Sequence, residues 1–304
     1  MKNKFLLICC LFFTTNISIK AWWDAGHMVT AMIAYENLTP EAKQQVDALT
    51  KQLNRDYPYV NHFITTGPWP DDLKAEGVST YNTWHYTNIP LNNSRIALQD
   101  QPEIDIIWAI NQMQKVLNSE KARPVDKARH LAFLVHLVGD IHQPLHSTSV
   151  HDNERPGGNI GGNAFKLKGK WRNMHALWDD GCGYLSELND INPYGKEKVA
   201  LTSAEIFQIK EFSESLMNEF PKENYCHPIE LDPDFWALES HKLAVKYGYK
   251  GVNELKDNGY QKWIKANDEP SELYLKNGQE VVKERLALAG YRLAEVLNQI
   301  FREG

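Results

Sequence analysis

Residues 131–146, which read LAFLVHLVGDIHQPLH, constrain the fold of this chain more than any other segment. The apolar residues Leu131, Leu134, Val135 and Val138 recur at positions i, i+3, i+4 and i+7, and this spacing predicts a helix that packs on a core. The polar residues that interrupt the apolar pattern are therefore expected to be buried with it.

Two of these polar residues, His136 and Asp140, are spaced i, i+4 and project from the same side of the helix, one turn apart. Burying a carboxylate there is costly unless it is paired or binds a metal. Pro144 ends the helix, which allows His146 to fold back from the exit. Taken alone, the segment has a simpler interpretation: a core histidine and a salt-bridged aspartate.

The same spacing recurs at His175 and Asp179. Two such pairs, with His146 as an additional histidine after the first, favour metal binding over the simpler interpretation. Imidazole nitrogens and carboxylate oxygens without cysteine suit Zn²⁺ at a hydrolytic site rather than at a structural one.

The N-terminus has the features of a secretory signal peptide over residues 1–21. A lysine-containing start precedes an apolar stretch, Phe5–Phe13, that is too short to span a bilayer, and the small Ala21 stands at the expected cleavage point. We therefore expect an exported protein, secreted or periplasmic, with no membrane partner.

Export leaves Cys182 and Cys226, and in an oxidising compartment they either form a disulfide or stay reduced.

The charge of the chain limits how it can bind nucleic acid. It has 33 basic and 39 acidic side chains, a formal net charge of −6, and removal of the lysine-containing leader makes the balance more negative. This argues against broad electrostatic binding of duplex nucleic acid. It does not exclude a nucleic-acid substrate, because bound divalent cations create a local positive site within an acidic surface.

The rest of the pattern is mostly helical, with neither repeats nor an obvious linker. Helical periodicity covers residues 25–37, 40–54, 107–117, 126–142, 203–219, 233–248 and 271–302. Residues 55–102 and 147–174 are predicted as long loops, the second with a short hairpin around Phe165 and Leu167. We predict that residues 22–304 form one all-α domain, a single compact helical domain with long functional loops.

Three further segments supply residues of matching ligand types. WWDAGH, residues 22–27, would begin the mature chain, where the free α-amine and the carbonyl of Trp22 can chelate a metal beside His27. WPDDLK, residues 69–74, places acids and a lysine in a predicted loop, and WHY, residues 84–86, places a histidine between aromatics. Taken singly, they have ordinary interpretations as a buried tryptophan, solvated charges and a core histidine.

Together these segments resemble the zinc-dependent single-strand-specific nuclease family, whose members also act as 3′-nucleotidases. The resemblance runs from WWDAGH through WPDDLK, WHY, FLVHLVGDIHQPLH, GGN and NMHALWD to AGYRLAEVLN, and it covers essentially all of the predicted mature chain. It implies the helical fold that trizinc nucleases share with the phospholipase C type, and three Zn²⁺ ions as cofactors.

The resemblance also implies a set of protein ligands for each ion. Asp71, His85, His136 and Asp140 would bind the first; His146, His175 and Asp179 the second; and Trp22, through its amine and carbonyl, with His27 the third, Asp140 bridging the third ion to the first. Attack on phosphorus by a zinc-bridged hydroxide would yield 5′-mononucleotides from single-stranded RNA or DNA, and nucleosides from 3′-nucleotides.

The family's substrate-contacting residues match further positions. Lys74 corresponds to a lysine that faces the phosphate and, with the metal-bound Asp71, belongs to the implied catalytic set. The family's phosphate-side asparagine, the third member of this set, matches Asn163, with Asn159 as the alternative because the GGN sequence occurs twice. Tyr86 matches an aromatic that stacks on a nucleobase. Asn88 departs from the aspartate of many members, and its amide both donates and accepts hydrogen bonds.

Two other functions compete with this interpretation, and no obligate protein partner is evident for any of the three. The phospholipase C type has its second ligand further from the N-terminal tryptophan and ends its last ligand pair in glutamate, whereas this chain has His27 and Asp179. A non-catalytic zinc-binding protein would typically have closed, cysteine-rich sites.

Overall fold

The computed structural model describes residues 22–92, 95–98, 101–195, 197–225, 229–255, 261–263 and 266–302. Residues 1–21 and Cys226 lie outside these ranges, so the leader and the disulfide stay predictions. In the described part, helices dominate: α1 (Asp24–Glu36), α2 (Pro40–Asn54), α3 (Trp69–Ala75), α4 (Ile106–Asn118), α5 (Pro124–His142), α6 (Met174–Asp179), α7 (Ser203–Glu219), α8 (Pro233–Leu243) and α9 (Glu272–Ile300). The all-α prediction is confirmed.

Strands are few and short in the described ranges. They are β1 (Pro90–Leu91), which pairs in parallel with β2 (Ser149–Val150), and β3 (Lys250–Leu255), which pairs antiparallel with β4 (Gln261–Trp263). The short hairpin predicted around Phe165 and Leu167 is present only as an isolated antiparallel bridge between Lys166 and Asn173. Backbone hydrogen bonds from Met174 to Phe165 and from Leu167 to Arg172 flank this bridge. Helix α8 ends at Leu243, earlier than the predicted residue 248, and the chain continues through a π-helical turn at Ala244–Gly248.

The prediction that WPDDLK lies in a loop is also wrong, because these residues form most of α3. Pro70 stands in the first turn, where its missing N–H has no intrahelical partner to lose. Asp71 and Asp72 also occupy the first turn, where their negative charges interact favourably with the positive end of the helix dipole. Asp71 and Lys74 are therefore carried by one rigid element.

The core is built around α5 and α9. Every residue of α5 from Leu131 to His142 is buried, because α1, α2, α4 and α9 all pack on this helix. Helix α9 also packs along α1, where Gly290 allows the close approach: a Cβ at this position would lie 2.5 Å from the Cβ of Ile33. None of the described helices is long and apolar enough to cross a membrane.

A buried ionic network joins α8, α9 and the end of α5. The side chains of Arg285 and Arg292 are each 3 % exposed, and both donate to Oε2 of Glu239, at 3.0 and 2.6 Å respectively. Arg292 also lies 2.9 Å from Nε2 of His142, and Nδ1 of that histidine lies 2.7 Å from the carbonyl of Val138. Burial and the two arginines lower the pKa of His142 well below its usual range, so this histidine is neutral.

Candidate metal centre

The predicted histidine and aspartate ligands converge on one buried cluster, and each is at most 4 % exposed. His27 comes from α1, Asp71 from α3, His136 and Asp140 from α5, His175 and Asp179 from α6, and His85 and His146 from the 3₁₀ turns Asn82–His85 and Pro144–Ser147. Six separate elements therefore contribute to one site.

Asp140 is central to the cluster. Its Oδ1 lies 3.3 Å from Nε2 of His27, whereas its Oδ2 lies 3.0 Å from Nδ1 of His85 and 3.1 Å from Nε2 of His136. Asp71 approaches the same pair, with Oδ1 3.8 Å from Nδ1 of His85 and 3.9 Å from Nε2 of His136. The two oxygens of Asp140 thus face different histidines, a geometry that suits a carboxylate shared between two cations.

A second group lies beside the first. Ligand atoms of His146, His175 and Asp179 all fall within 4.8 Å of one another, as do those of two further groups that share His136. The Nε2 of Gln143 donates to Oδ1 of Asp179 at 2.6 Å, while Oδ2 of this aspartate lies 3.5 Å from Nε2 of His175. Sequence reasoning missed Gln143, although its position between two predicted ligands was a signal.

In three of the histidines, one ring nitrogen forms a hydrogen bond with a backbone carbonyl. The pairs are Nδ1 of His136 with Gly67 at 2.8 Å, Nδ1 of His146 with His85 at 2.5 Å, and Nδ1 of His175 with Gly161 at 2.7 Å. Because a carbonyl only accepts, each Nδ1 carries a proton, which leaves Nε2 as the ring nitrogen that faces the cluster.

Several of the atoms that face the interior of the cluster have no hydrogen-bond partner. They are Nε2 of His27, His146 and His175, and Oδ1 of Asp71 and Asp140. A buried polar atom left in this state costs about 1–3 kcal/mol. Five of them in one place, all nitrogen or oxygen, would be satisfied together by divalent cations. The residues present therefore fit a site for metal ions.

The protonation states also favour cation binding. Burial lowers the pKa of His27 to about 4 and of His175 to about 3, so both rings are neutral. Burial acts to raise the pKa of Asp140, but the neighbouring histidines, led by His136, hold it well below its usual range. Asp179 differs: burial raises its pKa well above the usual range, and the Gln143 hydrogen bond only partly opposes this. A nearby cation would ionise Asp179.

The N-terminal end of the described chain is anchored at the cluster. Trp22 is fully buried, and its indole N–H donates to the carbonyl of Gly139 at 2.8 Å. A Cβ on Gly139 would lie 2.8 Å from Nδ1 of His27, so glycine is what allows α5 to pass this close to α1. The backbone N–H of Trp23 donates to the carbonyl of Asp179 at 3.2 Å.

Comparison with known proteins identifies the family. The sequence model of the S1/P1 nucleases matches residues 22–302. This chain belongs to the S1/P1 nuclease family. It is similar to Endonuclease 2 of Arabidopsis thaliana, with 28 % identity over 93 % of this chain and 92 % of that protein. Endonuclease 1 of the same plant is 25 % identical over 98 % of this chain and 93 % of its own length. Nuclease P1 of Penicillium citrinum is 21 % identical over 92 % of this chain and 97 % of its own length.

Membership of the S1/P1 nuclease family makes this chain a hydrolase that acts on nucleic acids in a metal-dependent way. The buried histidine and aspartate groups are the place where the described residues can hold those metal ions.

The remaining predicted site residues of this S1/P1 nuclease lie around the cluster. One cavity, the Tyr86 cavity, is lined by Tyr86, Asn88, Ile160, Asn163, His146 and His175. Asn159, the alternative to Asn163, is fully buried, and its side chain accepts from the N–H of Val150 and donates to the hydroxyl of Tyr249. Of the two asparagines, Asn163 is therefore the one that lines the cavity.

Lys74 lies on α3, three residues after Asp71, and the two side chains are electrostatically coupled. The pKa of Asp71 is lowered although burial acts to raise it, because His136, His85 and Lys74 all favour the carboxylate. Lys74 is thus one helical turn from a candidate metal ligand.

Proposed function

We propose that this S1/P1 nuclease is a zinc-dependent phosphodiesterase that hydrolyses single-stranded RNA and DNA to 5′-mononucleotides and removes the phosphate of 3′-nucleotides. The observation that carries the proposal is the buried eight-residue cluster with unsatisfied nitrogen and oxygen atoms, opening beside an aromatic-lined cavity. Zinc suits these donors. When bound, it would supply an activated water near neutral pH and stabilise charge on the departing 3′ oxygen.

The count of three ions follows the family resemblance. Asp71, His85, His136 and Asp140, whose side chains lie within 4 Å of one another in pairs, would hold one ion, and His146, His175 and Asp179 a second. Trp22 and His27 would hold a third, and Oδ1 of Asp140, which faces His27, would join it to the first.

Lys74 and Asn163 would hold the phosphate for reaction. Both lie beside the cluster, where an ammonium and an amide N–H can meet the non-bridging oxygens as negative charge builds on them. Because Lys74 and Asp71 share α3, the distance between the phosphate-binding lysine and the first ion would be fixed by a helix.

Tyr86 accounts for a preference for single strands. A base can stack on this ring only when it has left a duplex, and such stacking contributes about 1–3 kcal/mol with little dependence on base identity. Asn88 lines the same cavity and would both donate to and accept from the edge of the stacked base.

We also propose that the protein is exported, secreted or periplasmic, and that the mature chain begins at Trp22. The family match begins at this residue. A free amine on Trp22, next to its carbonyl, would then complete the ligands of the third ion, since the Trp22 ring is already fixed against Gly139.

A product assay tests the proposed function. The mature protein is expected to release 5′-mononucleotides from poly(A) and adenosine from 3′-AMP, while leaving phosphatidylcholine intact. Lys74→Ala should lower kcat on poly(A) about 100-fold with zinc content unchanged, the usual effect of losing one donor to transition-state charge. Lys51→Ala, an exposed lysine on α2, is the matched control. Hydrolysis of the phospholipid instead of poly(A) would refute the proposal.

An added N-terminal residue tests the third ion separately. Protein made with Met directly before Trp22 has no free amine on the tryptophan, so we expect it to bind two zinc ions and to lose at least about tenfold in turnover. Metal content and kcat of this protein are compared with those of protein starting at Trp22. Equal values for both would show that the Trp22 amine is not a ligand.

A further inference from the structure

A second cavity borders the cluster at His175 and Asp179. Its volume is about 390 Å³, and its lining includes Trp23, Lys170, Trp171, Arg172, His175 and Asp179. It shares Asn163 and His175 with the Tyr86 cavity. The two cavities therefore meet at the candidate metal ligands and the candidate phosphate-binding asparagine.

A third cavity, of about 290 Å³, adjoins the second at Trp23. Its lining also includes Leu188, Asn189 and Asn192. The Tyr86 cavity measures only about 10 Å³, so most of the open volume beside the cluster lies in the second and third cavities.

Trp171 is held in a defined position beside the second cavity. Its indole N–H donates to Oδ2 of Asp180 at 2.8 Å, and the ammonium of Lys170 lies 4.9 Å from the ring centroid. Asp180 is fully buried, follows the candidate ligand Asp179, and also accepts from Lys170 at 2.8 Å and from Asn189 at 3.1 Å. The half-buried ring is thus fixed relative to the cluster before any substrate binds.

We propose that the second and third cavities bind the nucleotides on the 5′-oxygen side of the scissile phosphate, with Trp171 as the stacking surface for the first of them. The proposal rests on the proposed function. If the base whose 3′ oxygen departs occupies the Tyr86 cavity, the rest of the strand leaves the phosphate in the other direction. The second cavity, which also borders the candidate ligands His175 and Asp179, presents two tryptophans, a lysine and an arginine, the combination with which proteins hold single strands.

The test compares two substrates that differ in whether they reach the second cavity. Single-stranded oligo(A) would fill it, whereas 3′-AMP would not. Trp171→Ala is expected to lower the ratio of kcat/KM for oligo(A) to kcat/KM for 3′-AMP about tenfold, the loss that one base stack gives. Trp171→Phe keeps an aromatic ring but not the hydrogen bond to Asp180, and its ratio should stay within about threefold of the starting protein.

Arg172 supplies an independent variant, because this exposed residue can be changed with little effect on packing. Arg172→Ala should weaken the salt dependence of KM for oligo(A) and leave the salt dependence for 3′-AMP as it was. Lys168→Ala, an exposed lysine outside the three cavities, is the control and should change neither.

Two results would overturn the inference. The first is an unchanged substrate ratio in Trp171→Ala, whether both activities fall equally or neither falls. The second, which decides if that variant does not fold, is a salt dependence unaffected by Arg172→Ala. Failure of the unaltered protein to cleave either substrate is a different outcome, because it refutes the proposed function itself.

Discussion

Changing Asp140 to asparagine is expected to lower phosphodiesterase activity at least about 1000-fold, the largest effect of any single substitution that the structure suggests. The reason is that its two oxygens face His27 on one side and His85 with His136 on the other, so two ions would lose a ligand together. Stabilisation by a metal ion is worth several kcal/mol in the transition state, and about 4 kcal/mol corresponds to 1000-fold in rate.

The measurement is kcat/KM on single-stranded RNA together with zinc content per chain. Asp126→Asn is the matched control: Asp126 lies on the same helix, α5, but pairs with Arg123 at 2.7 Å in an exposed position. It should keep both zinc and activity. A zinc-replete Asp140→Asn protein with activity within tenfold of the original would contradict the central role of Asp140.

Replacing Glu239 with alanine is expected to destabilise the fold by about 3 kcal/mol without directly altering the metal cluster. Removal of one partner from a buried ion pair typically costs 3–5 kcal/mol, because the remaining charge is left uncompensated. Here Arg285 and Arg292, each 3 % exposed, would both lose their carboxylate. We choose the lower end of the range because Glu239 itself is 27 % exposed.

Urea denaturation of the Glu239→Ala variant and of the unaltered protein measures the loss in the free energy of unfolding. Burial acts to raise the pKa of Glu239, but Arg292 and Arg285 outweigh it and lower the pKa from 4.5. The destabilisation caused by Glu239→Ala should therefore be largest at neutral pH, where Glu239 is ionised, and should shrink as the pH falls below about 4.5. Glu280→Ala, which breaks an exposed pair with Lys283, should cost less than about 1 kcal/mol. Equal losses for both variants would contradict the prediction.

The helices that could be predicted from the sequence carry their own end signals. The bounds of α2 and α7 match the prediction, because Thr39 with Pro40, and Thr202 with Glu205, form caps from local residues. Helix α3 was missed since its seven residues include Pro70 and show too little periodicity to stand out from a loop. The bounds of a helix are therefore predicted correctly where neighbouring residues in the sequence form its caps.

The ligand residues were proposed from spacing and family resemblance, and the structure brings all eight histidines and aspartates together. Contacts between distant segments could not be predicted in this way. Gln143 supports Asp179 across 36 residues, and Arg292 reaches His142 across 150. Such pairings depend on how helices pack: the position of Gln143 between two predicted ligands marks the residue, but nothing local identifies its partner.

Zinc content and position, measured on protein that begins at Trp22, test the central claim most directly. Elemental analysis combined with anomalous X-ray diffraction at the zinc edge should find three ions per chain, ringed by the eight buried histidines and aspartates, and their removal by a chelator should abolish cleavage of single-stranded RNA. Full cleavage by metal-free protein, or ions bound away from these side chains, would contradict the account.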